Sequence, residues 1–131
     1  MGSVYDGPER RRVIRVKVDF FVMYKVDKPI EVGMWVGGRE VAARMSDLSV
    51  NGMAILTNYK IPEPTILLMT FIFVNLSARD ERRVRLMEIT GRVMYNNELE
   101  KDEYRLGIHF TRLSEEDKVA IDDLVKKTTN R

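Results

Sequence analysis

The chain contains no cysteine, which excludes disulfides, thiolate nucleophiles and thiolate metal sites. It has a single histidine, His109, so no histidine pair exists for a metal or a proton relay, and His109 reads as an ordinary strand residue. No apolar run approaches the roughly 18 to 20 residues that a membrane-spanning helix needs, and Met1-Gly2-Ser3 lacks the apolar stretch of a signal peptide. Membrane insertion is therefore not expected, and a cytoplasmic location fits. Neither a P-loop nor a Rossmann glycine pattern is present, and Ser49 stands outside any nucleophile-elbow pattern. An enzyme is not expected, nor a metal or cofactor. Charge of one sign is also in short supply. Twenty-two Lys and Arg face 20 Asp and Glu, a net charge of +2 that does not by itself argue for a polyanionic partner.

What is present suits one compact domain: 131 residues, 44% hydrophobic and 32% charged. Residues 1–9 carry Gly, Ser, Asp and Pro without periodicity and read as a flexible lead-in, with the domain proper over residues 10–127. Ile14, Val16, Val18, Phe20, Val22, Tyr24 and Val26 then alternate with Arg15, Lys17, Asp19 and Lys25, with Phe21 and Met23 as apolar exceptions on the outer face. That period of two marks a strand with one buried face, ended by Asp27-Lys28-Pro29. Residues 30–36 and 39–45 flank Gly37-Gly38, which reads as a hairpin whose primed turn requires positive φ. Residues 47–52 read as a turn, followed by a short strand over 53–57. Residues 66–74 read as a buried strand, 75–82 as a polar loop, 84–95 as a strand with Gly91 as a bulge, 96–102 as a turn and 104–110 as the last strand. So many short strands between turns predict a closed or nearly closed antiparallel barrel.

The final segment changes period. Ser114 is a helix N-cap with Asp117 three residues later, and Glu115 and Glu116 complement the positive end of the helix. Ala120, Ile121, Leu124 and Val125 form a narrow apolar stripe that would pack onto the barrel.

Two segments could carry chemistry. The first is Glu9-Arg10-Arg11-Arg12-Val13-Ile14-Arg15 at the entrance to the first strand. Guanidinium groups bind phosphate bidentately and match the O6 and N7 acceptors of guanine. Alone, this is also what a solvated basic flank looks like. The second is Asp47-Leu48-Ser49-Val50-Asn51-Gly52, where Asp47 can accept from guanine N–H groups, Ser49 can add a hydroxyl and Gly52 can let backbone approach a ligand. Alone, it is equally a strand-connecting turn. Arg79, Arg82, Arg83 and Arg85, interleaved with Asp80 and Glu81, read as a solvated loop. Glu98, Glu100, Asp102 and Glu103 read as a hairpin tip, and Trp35 and the eight methionines as packing residues, with Trp35 at the surface for a partner as the alternative.

Together, the two segments resemble the PilZ domain, a bacterial family of cyclic di-GMP receptors. Its pattern is Arg-x-x-x-Arg leading into the first strand, followed after roughly 30 residues by Asp/Asn-x-Ser-x-x-Gly, matched here by Arg11 to Arg15 and Asp47 to Gly52. Arg10 stands where the family often has a further arginine. Leu106-Gly107-Ile108-His109-Phe110, with Leu113-Ser114 and a helix after it, looks like the family's ending. The resemblance implies an all-β fold, a six-stranded antiparallel β-barrel with a C-terminal α-helix. It implies cyclic di-GMP as ligand, with Arg10, Arg11 and Arg15 on phosphates and guanine faces and Asp47, Ser49 and Gly52 at a guanine edge. Binding would order residues 5–13 and so relay a signal to a downstream protein effector. A homodimer of the receptor is a further partner the sequence leaves open, and the competing readings are a protein-interaction module of the same fold that binds no nucleotide and a nucleic-acid-binding barrel. The last lacks a clear aromatic platform, since Phe20 and Tyr24 fall on the core face.

Overall fold

Strand β1 (Val16–Lys28) follows the alternation from Val16 on: Val16, Val22, Tyr24 and Val26 are buried, Val18 and Phe20 half-buried, and Lys17, Asp19, Phe21, Met23 and Lys25 exposed, while Ile14, ahead of the strand, is exposed and not on the buried face. The computed structural model describes residues 14–80 and 83–129. The lead-in over 1–9, Arg10 and Arg11 therefore lie outside the described residues. After β1 come helix α1 (Ile30–Trp35) and strands β2 (Val41–Leu48), β3 (Gly52–Thr57), β4 (Ile66–Val74), β5 (Val84–Glu100) and β6 (Glu103–Arg112). Helix α2 (Glu115–Thr129) ends the described chain.

The six strands pair antiparallel in the order β1-β2-β3-β6-β5-β4, and β4 pairs back with β1 to close a ring. Closure leaves no strand edge to template aggregation. Inside it, Tyr24, Phe73, Met45, Leu67, Met87 and Leu106 are fully buried, and Phe20 stacks on Phe71 with ring centroids 6.1 Å apart. Tyr24 places its hydroxyl 2.8 Å from Thr57 Oγ1 in this interior. Burial pushes its pKa up from 10.0 to about 12, against the lowering effect of that hydrogen bond.

Helix α2 lays Ala120, Ile121 and Val125 onto the core, all buried. The Asp117 amide donates to Ser114 Oγ at 3.1 Å, so Ser114 caps the helix as its sequence predicts. The Asp117 carboxylate has another partner: Arg85 Nη2 of β5 lies 2.9 Å from Asp117 Oδ1, both side chains largely buried. Arg85 is thus a strut between ring and helix, which corrects its reading as part of a solvated loop.

Three local expectations are corrected. Residues 30–35 form a helix, so Gly37-Gly38 does not join two strands. Both glycines do take positive φ (+95° and +66°), but they terminate α1. The Gly37 amide donates to the Met34 carbonyl and the Gly38 amide to the Gly33 carbonyl, the left-handed ending that glycine favours. β5 runs on to Glu100, so the turn narrows to Lys101 and Asp102, with Asp102 at φ +62°. Lastly, Trp35 is 55% exposed, set edge-on to Tyr59, which fits the surface alternative, and Met34 and Met94 are exposed, so these three are not core packing residues.

Candidate functional site

The turn expected over 47–52 narrows to 49–51, because Asp47 and Leu48 belong to β2 and Gly52 to β3, and the side chains of the connection explain its tightness. The Ser49 amide donates to the Gly52 carbonyl at 2.9 Å. Ser49 Oγ accepts from the Asn51 and Gly52 amides, each at 3.2 Å, and donates to the Gly52 carbonyl at 3.3 Å. A serine hydroxyl is well suited to this substitution for backbone pairing. Ser49 is fully buried, so its hydroxyl serves the turn itself. The Asn51 carbonyl accepts from the Phe110 amide at 2.8 Å, which ties the turn to β6.

Gly52 opens β3 opposite His109. A Cβ here would run into the carbonyl oxygen of Ile108 and stand 3.2 Å from its carbonyl carbon. The close approach that demands glycine at this position is to the backbone of β6.

Asp47 lies one residue before the end of β2, cross-strand from Lys17 of β1 and Ala54 of β3. Arg15, immediately ahead of β1, donates from Nη1 to Asp47 Oδ1 at 2.8 Å. The two sequence segments, 32 positions apart, are therefore brought together. A residue that sequence reasoning missed completes the group: Arg105 of β6 donates from Nη2 to Asp47 Oδ2 at 2.6 Å. The carboxylate is nearly enclosed, at 11% side-chain exposure, while the arginines stay open at 48% and 38%. Two guanidiniums around one carboxylate leave an excess positive charge, held at the surface by charge-assisted bonds. The overlooked signal was the alternation Arg105, Gly107, His109 on the outward side of β6, between buried Leu106, Ile108 and Phe110.

The neighbouring outer surface is built low. Gly107 sits beneath the ring of Tyr95, its cross-strand partner in β5, with no room for a Cβ. Beside Gly52, His109 pairs across to Arg92, and both are exposed. The arrangement is an open face with fixed guanidiniums, an aromatic ring and little side-chain bulk. Arginine forks and aromatic rings on such a face suit a flat, anionic, base-bearing ligand. Among the described residues no cluster of His, Cys, Asp and Glu could hold a metal ion.

Comparisons with known proteins agree with this architecture. A search of curated proteins gives no match. Among solved structures, the inhibitor of motility MotI/DgrA of Bacillus subtilis superposes with TM-score 0.69 at 13% identity, over 93% of this chain and 53% of that one. The chain thus spans about half the length of that protein. The PilZ domain of YcgR from Escherichia coli, solved with c-di-GMP, gives TM-score 0.59 at 14% identity, covering 92% of each chain. The PilZ domain of CeSA from a cellulose-synthesizing bacterium gives 0.57 at 14% identity, over 88% of this chain and 98% of that one. At such identities the likeness is one of fold. The family description "PilZ domain" matches residues 9–127, nearly the whole sequence, and with its ring of six strands and closing helix this chain belongs to the PilZ domain family.

Proposed function

We propose that this chain is a receptor for cyclic di-GMP, acting by binding and not by catalysis. The observation that carries the reading is the Arg15–Asp47 ion pair, which joins the arginine segment to the 47–52 turn at one point on the surface. The PilZ family membership and the c-di-GMP in the YcgR neighbour support the same ligand. Arg10, Arg11 and Arg15 contribute guanidiniums to phosphates and guanine faces, and Asp47 contributes the acceptor for guanine N–H groups. Ser49 and Gly52 act through the turn, which fixes Asp47 and brings the 49–52 backbone to the ligand's edge. Ligand capture by residues 10–15 sets the conformation of the segment over 5–13, and that change is the signal.

A downstream protein effector has a surface to read. Phe21, Ile72 and Leu86 are exposed at 78%, 53% and 57%. Ile72 pairs with Leu86, and Phe21 lies on the adjoining β1. This apolar row on β1, β4 and β5 also favours the second reading, a protein-interaction module that binds no nucleotide.

Thermal melting of the purified chain separates the two. A ligand present at a hundred times its Kd stabilises a protein by about 2.7 kcal/mol, which for a domain of this size raises Tm by roughly 8 °C or more. Such a rise with cyclic di-GMP, absent with GTP and cyclic GMP, is expected. An unchanged Tm with all three leaves the interaction module in its place.

A further inference from the structure

Asp47 has more positive charge around it than it needs. One arginine would neutralise a carboxylate of 11% exposure, yet Arg15 and Arg105 each take one of its oxygens. The two arginines are also held differently. Arg15 belongs to the chain entering β1, whereas Arg105 stands inside β6, paired to Leu56 of β3 and Asn97 of β5. Its backbone is fixed on both sides, and Asp47 fixes its guanidinium through Nη2 alone. A guanidinium carries five N–H donors in a planar fork, so one carboxylate contact leaves most of the fork for something else. Among the described residues Asp47 is its one side-chain partner.

The neighbourhood of Arg105 on the sheet points to a base more than to a phosphate. Two positions along β6 on the same outward side is Gly107, roofed by the ring of Tyr95. Arginine and an aromatic ring at adjacent positions of one sheet face can receive the edge and the plane of the same purine. Guanine offers O6 and N7 acceptors to such a fork, while adenine puts its N6–H2 donor where O6 would be.

We propose that Arg105 is a further ligand-binding arginine of this site, outside the two sequence segments, and that it selects guanine by donating to O6 and N7. This rests on the receptor reading above. Asp47 then holds Arg105 for the base on one oxygen and Arg15 on the other, and the lone pairs that these two bonds leave on the carboxylate remain the acceptors for guanine N–H groups.

The competing account is that Arg105 only neutralises Asp47, and Lys separates the two. Arg105→Lys keeps the charge beside Asp47 but lacks the planar fork, so it preserves neutralisation and removes bidentate readout. The experiment is calorimetric titration of the full chain and of Arg105→Lys and Arg105→Gln with cyclic di-GMP and cyclic di-AMP, with melting curves to show that each variant is folded. Both variants are expected to bind cyclic di-GMP about 10-fold or more weakly and to lose most of the preference over cyclic di-AMP, as expected for one bidentate base contact. Arg105→Lys binding cyclic di-GMP as the unaltered chain does, with its preference intact, overturns the inference and leaves the receptor reading standing. An unaltered chain that binds neither dinucleotide overturns both.

Discussion

Gly52→Ala adds a single methyl group, and the structure says where it must go. The new Cβ would collide with the Ile108 carbonyl oxygen and lie 3.2 Å and 3.4 Å from Ile108 C and His109 Cα. All three are backbone atoms of a neighbouring strand, so no side-chain rotation can relieve the contact. Gly52 does not need positive φ, so the cost is steric and not torsional. Relief requires β3 and β6 to separate where Gly52 pairs with His109 and Met53 with Ile108. Overpacking of this kind costs about 1 to 3 kcal/mol, and each strained ladder bond adds about 1 kcal/mol. A loss of about 2 to 4 kcal/mol is therefore expected, roughly 6 to 16 °C in Tm for a domain of this size. Urea denaturation and thermal melting of the variant without ligand measure it. A variant that melts with the unaltered protein but no longer binds nucleotide would refute the reasoning, because Gly52 would then be needed for the ligand and not for the strand contact.

Three further outcomes are expected. Ser49→Ala removes a fully buried hydroxyl that makes three bonds within its turn, and should cost about 1 to 3 kcal/mol in urea unfolding; a change under about 0.5 kcal/mol would show that the turn holds without it. Asp117→Ala strands Arg85 between ring and helix and should cost about 2 kcal/mol, between the values for exposed and buried pairs, while a neutral result would mean that α2 is seated by its apolar stripe alone. Tyr24 keeps its proton to about pH 12 in the folded chain but only to its ordinary 10.0 when unfolded. Above pH 10 the unfolded state therefore loses a proton that the folded state retains, and stability should fall by about 1.4 kcal/mol per pH unit until pH 12. Tyr24→Phe should flatten that decline, and an identical alkaline profile would assign it to other groups.

Where side-chain period alone decides structure, the sequence was easily read. β4 occupies residues 66–74, where the apolar run reads as a buried strand, but only one face is buried and Leu68 and Ile72 are exposed; one of the three register shifts of β5 against β6 falls at Gly91, and Ser114 caps α2. α1 was harder, because a six-residue helix has too few turns to display a 3.6-residue period. Its segment, Ile30-Glu31-Val32-Gly33-Met34-Trp35, is apolar enough to pass for a strand, and positive φ at a glycine pair suits a helix end as well as a hairpin. The far half of β5 was hidden by Asn96, Asn97, Glu98 and Glu100, polar residues that mark turns but are tolerated in a hairpin arm with exposed faces. In the site, Arg15 and Asp47 were singled out by their resemblance to the family's two segments, although their direct ion pair was not expected. Arg105 was not, since its role depends on β6 lying beside β3, a neighbour relation that only the closed ring supplies. Ser49 shows the converse. Its residue type suggested a ligand contact, and its burial shows a hydroxyl committed to the backbone.

The central claim is that nucleotide is bound where Arg15 meets Asp47. Calorimetric titration with cyclic di-GMP, run on the unaltered chain beside Arg15→Ala, tests it most directly. The account predicts saturable binding at or below micromolar Kd, about −8 kcal/mol, and loss of that binding in the variant while its melting curve stays cooperative. Absence of saturation in the folded, unaltered chain, or equal affinity in Arg15→Ala, would contradict it.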